Sequence, residues 1–300
     1  MSNFNTILNY LTLIRFPNIF TTIPNIILGY FLFTDIQDTD YLDLSILLIV
    51  SILLYIGGVV LNDYFDITKD KKERPSRPLP SNIIPKRNAL YISISCFLSS
   101  LFLSLYTSLT GLLITITMLI LIFIYNSYSK ERISGPPNMG AIRSLNILLG
   151  SSTSFSFSMF DLQLIDSKIP IIIISEFSYV CLITWLSRNE TEDKSFNKKF
   201  LLTFSTIYLM IVFMIFLIFI DIFNVNSVLN LTIFATIIIY SHYLSIKRNF
   251  SIQKLISILI VLMVAFDSIF ISSSIGILYG LMILLLIPLI FFLSKKMYMT

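Results

Sequence analysis

Apolar residues in this chain come in long unbroken runs separated by short polar stretches. There is neither the strict alternation of a half-buried strand nor the one-sided stripe of a surface helix. A run of about 20 apolar residues is long enough to cross a bilayer as a helix. Such runs fall near 17–34, 44–62, 89–106, 110–128, 138–160, 169–187, 200–222, 227–245, 252–271 and 275–293. The pattern predicts an all-α polytopic membrane protein with about nine or ten transmembrane helices. No stretch outside the runs is long enough to build its own core, and the longest is 62–88, so residues 1–300 read as a single transmembrane domain.

Composition agrees, with 56% of the chain hydrophobic, 13% charged and a mean hydropathy of +0.86. The net charge of +4 records orientation. With the amino terminus inside, the bases from Lys69 to Arg87 fall inside, as do Arg15, Lys130, Arg132, Arg188, Lys194, Lys198 and Lys199 and the later basic residues. The first outer loop instead carries Asp35, Asp38, Asp40 and Asp43. Such a bias places the loops 62–88 and 188–199 on the inner side and gives no support to a nucleic-acid partner. The amino terminus lacks the ordered basic, apolar and small-residue segments of a removable signal, so the first span is expected to stay. Cys96 and Cys181 lie in apolar runs without metal or redox spacing and read as packing residues. Alanine is confined to Ala89, Ala141, Ala235 and Ala265, and the wealth of Ile, Phe, Ser and Asn suggests AT-rich coding. That composition fits a bacterial inner membrane or a plastid membrane.

Chemistry concentrates where the second run ends. The residues there are Asn62-Asp63-Tyr64-Phe65-Asp66-Ile67-Thr68-Lys69-Asp70. If the helix continues, Asn62, Asp66 and Asp70 at i, i+4 and i+8 share one face. Three oxygen-bearing groups at a membrane surface suit Mg²⁺, which takes one or two carboxylates plus substrate phosphates and waters. The adjoining tail, Lys71-Lys72-Glu73-Arg74-Pro75-Ser76-Arg77-Pro78-Leu79-Pro80, supplies cations for an anion and prolines that end the helix. A metal and diphosphate site is one reading. A solvated helix end whose bases hold lipid headgroups is the other.

A second inner loop has the same acidic-then-basic order, Ser187-Arg188-Asn189-Glu190-Thr191-Glu192-Asp193-Lys194 and then Lys198-Lys199. Asn189 and Asp193 share a helix face, and Glu190 lies about 100° further round. Arg143 is a base inside the fifth span, where such a charge either meets a partner or cavity or snorkels out. Asn138 and Asn146 flank it and either line the cavity or bond between helices. Asp267 in the ninth span reads as a structural hydrogen-bonding residue, and His242 as interfacial.

These segments resemble the UbiA superfamily of intramembrane prenyltransferases. The resemblance rests on the N-D-x-x-D-x-x-x-D pattern of Asn62–Asp70, the R-P-x-R-P-L-P-S pattern of Arg74–Ser81, and the Tyr128–Arg132 loop. It implies a UbiA-like helical bundle around a central cavity that opens to lipid. A narrower resemblance, to EboC-like members, rests on Ser134–Gly150, on Ser187-Arg188-Asn189-Glu190, and on the last paired spans with Asp267 and Tyr279-Gly280. Where active members carry a second D-x-x-x-D motif, this chain has Ser187–Asp193, a degenerate version.

The resemblance implies Mg²⁺-dependent transfer of a prenyl group from a polyprenyl diphosphate to a lipophilic acceptor of aromatic or polyol type, a transferase activity. The implied metal ligands are Asn62, Asp66, Asp70, Glu190 and Asp193. Arg77, Lys130, Arg188 and Asn138 would bind the diphosphate, and Asp66, Asp70, Lys130 and Arg143 would carry the chemistry, with Phe65 or Tyr125 facing the allylic cation. The alternative is a catalytically degenerate UbiA-like protein that binds or helps move a lipophilic precursor. In either case the polar ends of the second and sixth spans are expected to meet over one chamber.

Overall fold

The computed structural model describes residues 2–154, 168–188, 193–246 and 252–295, and every regular element in them is helical. In chain order these are α1 (Ser2–Leu13), α2 (Phe16–Ile19), α3 (Ile23–Phe31), α4 (Tyr41–Phe65), α5 (Ile67–Glu73), α6 (Lys86–Thr107) and α7 (Leu109–Ile124). They continue as α8 (Gly135–Gly150), α9 (Lys168–Ser187), α10 (Asp193–Phe219), α11 (Val228–Ile246), α12 (Ile252–Ile275), α13 (Ile277–Leu284) and α14 (Leu286–Ser294).

The boundaries have local causes. Asp40 caps α4 by accepting from the Leu42 amide at 2.8 Å and the Asp43 amide at 3.2 Å. Ser108 caps α7 by accepting from the Gly111 amide at 2.8 Å. Prolines occupy the first turns of α2, α3 and α8, where a missing N–H costs no helical bond. The backbone bonds from Asp66 N to Asn62 O (3.0 Å) and from Asp70 N to Asp66 O (2.8 Å) carry the helical path through the α4–α5 junction.

Among the described residues, seven helical segments are long and apolar enough to cross a membrane, and the pair Thr6–Leu13 and Phe16–Phe31, bent by 44°, makes an eighth. The protein is a multi-pass membrane protein. The sequence count of nine or ten also takes in the run at 138–160, whose helix α8 has only 16 residues, and the run at 200–222, which falls on the 27-residue α10. The bend falls at Arg15, a non-glycine residue at φ 48°. That left-handed conformation costs about 1–2 kcal/mol, and an ion pair with Asp63 holds it.

Burial places α12 at the centre: 83% of its apolar window is buried, against 17–39% in the other spans. Between lipid-embedded helices association depends on close approach rather than on expelling water. Gly29 of α3 and Gly150 of α8 make that approach, since a Cβ on Gly29 would lie 1.8 Å from the Ile147 carbonyl oxygen and one on Gly150 2.4 Å from that of Ile26. The contact fixes α3 against α8, beside the central cavity.

Candidate active site

A cavity of about 870 Å³ opens among α2, α4, α5, α7, α8, α9 and α12. Its walls are largely apolar, with Leu54, Met118, Ile122, Ile183, Ile256 and Met263 among the lining residues. Its mouth is charged, and gathers the end of α4, the start of α5, the loop after α7 and the end of α9.

At the mouth a five-residue π-helical turn, Tyr125–Ser129, extends α7. A wide turn of this kind shifts the register of the residues beyond it, and here the residue beyond it is Lys130. Its ammonium donates to Asn62 Oδ1 at 2.6 Å and is ion-paired with the Asp66 carboxylate. A neutral and an anionic oxygen one helical turn apart thus converge on one cation. Arg188, from the end of α9, donates to the Glu131 carbonyl at 2.6 Å. Lys69 Nζ lies 2.7 Å from Glu131 Oε1. That hydrogen bond raises the Lys69 pKa and lowers the Glu131 pKa from their ordinary values.

Beside this group lies a largely buried chain of four charges. Asp63 pairs with Arg15 at 3.0 Å and with Arg77 at 3.6 Å, and Arg77 pairs with Asp70 at 2.8 Å. Burial first, and the Arg15 guanidinium second, hold the Arg77 pKa below the usual arginine value. The chain of charges ties the Arg-Pro loop to the first span and keeps Arg15 in its left-handed conformation. Deeper in the cavity Arg143 of α8 donates to the Thr21 carbonyl and lies 3.5 Å from Glu176 of α9.

Residues 22–299 match the UbiA prenyltransferase family. The chain belongs to that family. Over 166 residues it is 31% identical to the digeranylgeranylglyceryl phosphate synthase of Methanosarcina barkeri, covering 51% of this chain and 55% of that protein. With the synthase of Methanococcoides burtonii it shares 33% identity over 122 residues, 40% of this chain and 42% of the relative. The matched segment thus spans about half the length of the first of these curated relatives and less of the second. A solved structure of a digeranylgeranylglyceryl phosphate synthase superposes with a TM-score of 0.60 at 22% identity, over 90% of this chain and 99% of the other. A UbiA homolog from Archaeoglobus fulgidus bound to GPP and Mg²⁺ superposes with the same score at 13% identity, over 89% and 99%. The same homolog has been solved with Cd²⁺. The fold is that of UbiA proteins.

Within this UbiA fold, Asn62, Asp66, Asp70, Arg77, Lys130, Arg143, Asn146 and Arg188 all line the one cavity. Several details differ from the sequence expectation. Asp70 shares the cavity with Asp66 but turns its carboxylate to Arg77, and Arg77, expected to meet the diphosphate, is engaged by two aspartates. Asn138 is buried in the first turns of α8 and is not among the lining residues. Glu190 and the side chain of Asp193 lie outside the described residues. Tyr125 lines the cavity, whereas Phe65 is 42% exposed and packs edge-on against Tyr64 and Phe123. His242, near the end of α11, stacks on Phe204 at 4.3 Å and its Nδ1 lies 2.6 Å from the Tyr208 hydroxyl.

Sequence reasoning missed Asp63, Asn25 and Glu176. Asp63 sits inside the quoted acidic segment, one residue round the helix from Asn62, and Arg15 was its complementary signal. Glu176 is the lone carboxylate of the sixth run and had its counter-charge, Arg143, in the fifth.

The donor set can be tested against a divalent ion. Among the described residues no three carboxylates, histidines or cysteines cluster as a metal cage. Asn62 and Asp66 nevertheless already share one cation, the Lys130 ammonium. Mg²⁺ needs no complete protein cage when substrate phosphates and waters fill its octahedron, so the pair fits it.

Proposed function

We propose that this chain transfers a prenyl group from a prenyl diphosphate to a lipophilic acceptor. The observation that carries the reading is the convergence of Asn62, Asp66, Lys130 and Arg188 on the mouth of one apolar-walled cavity. Asn62 and Asp66 would hold Mg²⁺, which when bound neutralises the diphosphate leaving group as a Lewis acid. Lys130 and Arg188 donate charge-assisted hydrogen bonds to the diphosphate oxygens. Asp70 acts by fixing Arg77, and through it the Arg-Pro loop that borders the mouth. The apolar walls take the prenyl chain and keep water from the allylic carbon while the acceptor attacks, with Tyr125 offering a ring face. The names of the similar synthases, and of the GPP-bound and Mg²⁺-bound homolog, support the donor class and the metal. They also make a glyceryl phosphate ether lipid the first acceptor to try. The Ser134–Gly150 and Ser187–Glu190 segments support an EboC-like placement and an aromatic or polyol acceptor instead. Composition supports a bacterial or plastid membrane.

The test is incubation of purified protein with geranyl, farnesyl and geranylgeranyl diphosphates and a panel of both acceptor types. Mg²⁺-dependent diphosphate release that is lost in Asp66→Asn is expected. Folded protein inactive across the panel would overturn the reading.

One observation favours a second reading, a non-catalytic protein that binds or moves a lipophilic precursor. Lys130 already satisfies Asp66, and the described residues hold no three-carboxylate cluster. On that reading Asp66→Ala leaves the biological phenotype intact while cavity-blocking substitutions abolish it.

A further inference from the structure

Behind the cavity wall lies a polar cluster that the proposed donor site does not use. Asn25 of α3, Glu176 of α9 and Asp267 of α12 are fully buried. The Asn25 amide donates to Asp267 Oδ2 at 2.9 Å and approaches Glu176 Oε1 at 3.4 Å. Asn146 links Asn25 to α4, its Nδ2 lying 3.5 Å from Asn25 Oδ1 and its Oδ1 accepting from Ser51 at 2.8 Å. Arg143 lies between this cluster and the cavity, paired with Glu176 and 12% exposed along its side chain.

Two buried carboxylates facing one guanidinium would leave an uncompensated charge in a low-dielectric interior. The two carboxyl groups share the Asn25 amide as donor. Each nonetheless keeps one buried oxygen, Glu176 Oε2 and Asp267 Oδ1, for which no donor exists among the described residues. A single proton held by the pair makes the trio with Arg143 neutral. The trio is also remote from the mouth. Ser51, to which it is linked, precedes Asp66 by fifteen residues on α4, or ~22 Å of helix.

We propose that Glu176 and Asp267 share one proton and act as positioning residues for Arg143, which anchors the acidic head, phosphate or carboxylate, of the lipophilic acceptor at the inner end of the cavity. The occupant's role as acceptor rests on the prenyl-transfer reading. The anion site itself does not. A singly charged head arriving at Arg143 brings one proton onto the carboxyl pair, so the pole stays neutral. The other titratable groups facing it are Tyr55 of α4 and Tyr179 of α9, whose hydroxyl donates to the Leu259 carbonyl.

Binding to detergent-purified protein tests this, with dodecyl phosphate and dodecanol as probes for the inner pole and Mg²⁺ pyrophosphate as probe for the mouth. Arg143→Gln is expected to weaken dodecyl phosphate about tenfold or more, the size of one charge-assisted hydrogen bond, leaving dodecanol and pyrophosphate unchanged. Lys130→Gln should do the reverse. Arg143→Lys, which keeps the charge, should retain most of the phosphate preference. Infrared difference spectra should show one protonated carboxylic acid that disappears in both Glu176→Gln and Asp267→Asn, because the remaining carboxyl ionises against Arg143. Equal affinity of wild-type protein for dodecyl phosphate and dodecanol, or no protonated acid in the wild type, would overturn the inner pole. This holds even if Arg143→Gln does not fold. Phosphatidic acid bound as tightly as dodecyl phosphate would mark a lipid site and overturn the acceptor assignment. Failure of Mg²⁺ pyrophosphate to bind while dodecyl phosphate still binds would remove the prenyl-transfer reading and leave the anion site standing.

Discussion

Removing the Lys130 ammonium should make the substrate-free protein bind a divalent cation more tightly, although Lys130 is a diphosphate ligand in the proposed reaction. Its charge sits on Asn62 Oδ1 and Asp66, the two oxygens assigned to the metal. Two unit charges about 4 Å apart interact by ~4 kcal/mol at an effective dielectric of about 20. The two side chains are 26% and 18% exposed, so solvent screening and dehydration reduce that gain. A net ~1–2 kcal/mol for the ion pair and ~0.5–1 kcal/mol for the hydrogen bond to Asn62 are reasonable magnitudes. The sum, ~1.5–3 kcal/mol, corresponds to about ten- to hundredfold in affinity.

Lys130→Gln should therefore tighten Mn²⁺ binding by that factor in a spin-resonance titration of detergent-purified protein without diphosphate. The same substitution should weaken pyrophosphate binding. Asp66→Asn should remove metal binding in both backgrounds. An Mn²⁺ affinity that stays constant or falls in Lys130→Gln would refute the idea that this ammonium holds the cation's place.

The chain of charges at Asp63 gives a stability test. Asp63→Asn leaves Arg15 without its ion pair and Arg77 with Asp70 alone, a loss of ~3–5 kcal/mol for breaking a buried pair, read as a large drop in the thermal midpoint in detergent. Gly29→Ala, whose Cβ meets backbone 1.8 Å away, should destabilise far more than Gly58→Ala, whose Cβ meets only the Ile122 side chain at 3.4 Å. The Lys69–Glu131 pair predicts a pH dependence. Glu131, with a lowered pKa, contributes above its unfolded pKa of ~4.3 and loses that contribution as pH falls through its folded value. Lys69, with a raised one, contributes fully below ~10.4 and loses its share as pH rises through its folded value. Stability from the pair is thus flat near neutrality. Because both side chains are well exposed, Glu131→Gln should cost no more than about 1 kcal/mol there, visible as a shallower acid limb in a melting profile.

The spans were legible where one physical requirement dominated. α4, α6, α9 and α12 need only be apolar for long enough, and their runs located them. α8 and the first span were read less well for a common reason. α8 carries Asn138, Arg143, Ser144 and Asn146 because it walls a polar cavity, which leaves a helix of 16 residues. The first span breaks at Arg15, whose conformation depends on Asp63, forty-eight positions away in sequence. The i, i+4 spacing correctly put Asn62 and Asp66 on one face. It could not show that Asp70, a turn further on, would meet Arg77 from the next loop. Asp267 was likewise visible as an isolated intramembrane acid, but its neighbourhood with Glu176 around Asn25 exists only once α9 and α12 pack beside α3.

The mouth and the inner pole share one property: the guanidinium and ammonium charges in the cavity already have anionic or carbonyl partners. Arg15 and Arg77 face Asp63 and Asp70, Lys130 faces Asp66, Lys69 faces Glu131, and Arg143 faces Glu176, while Arg188 is held by a backbone carbonyl. An apolar chamber has no bulk water to neutralise a bare cation, so this arrangement is what stability demands of the substrate-free protein. It also means that a polyanionic diphosphate entering alone would find few charges free to receive it. If it enters with divalent cations, these displace Lys130 from Asp66, and the released ammonium turns to the phosphate oxygens. Metal and diphosphate should then bind tightly only together, so the Mn²⁺ affinity gained in Lys130→Gln and the pyrophosphate affinity lost are two measurements of one exchange.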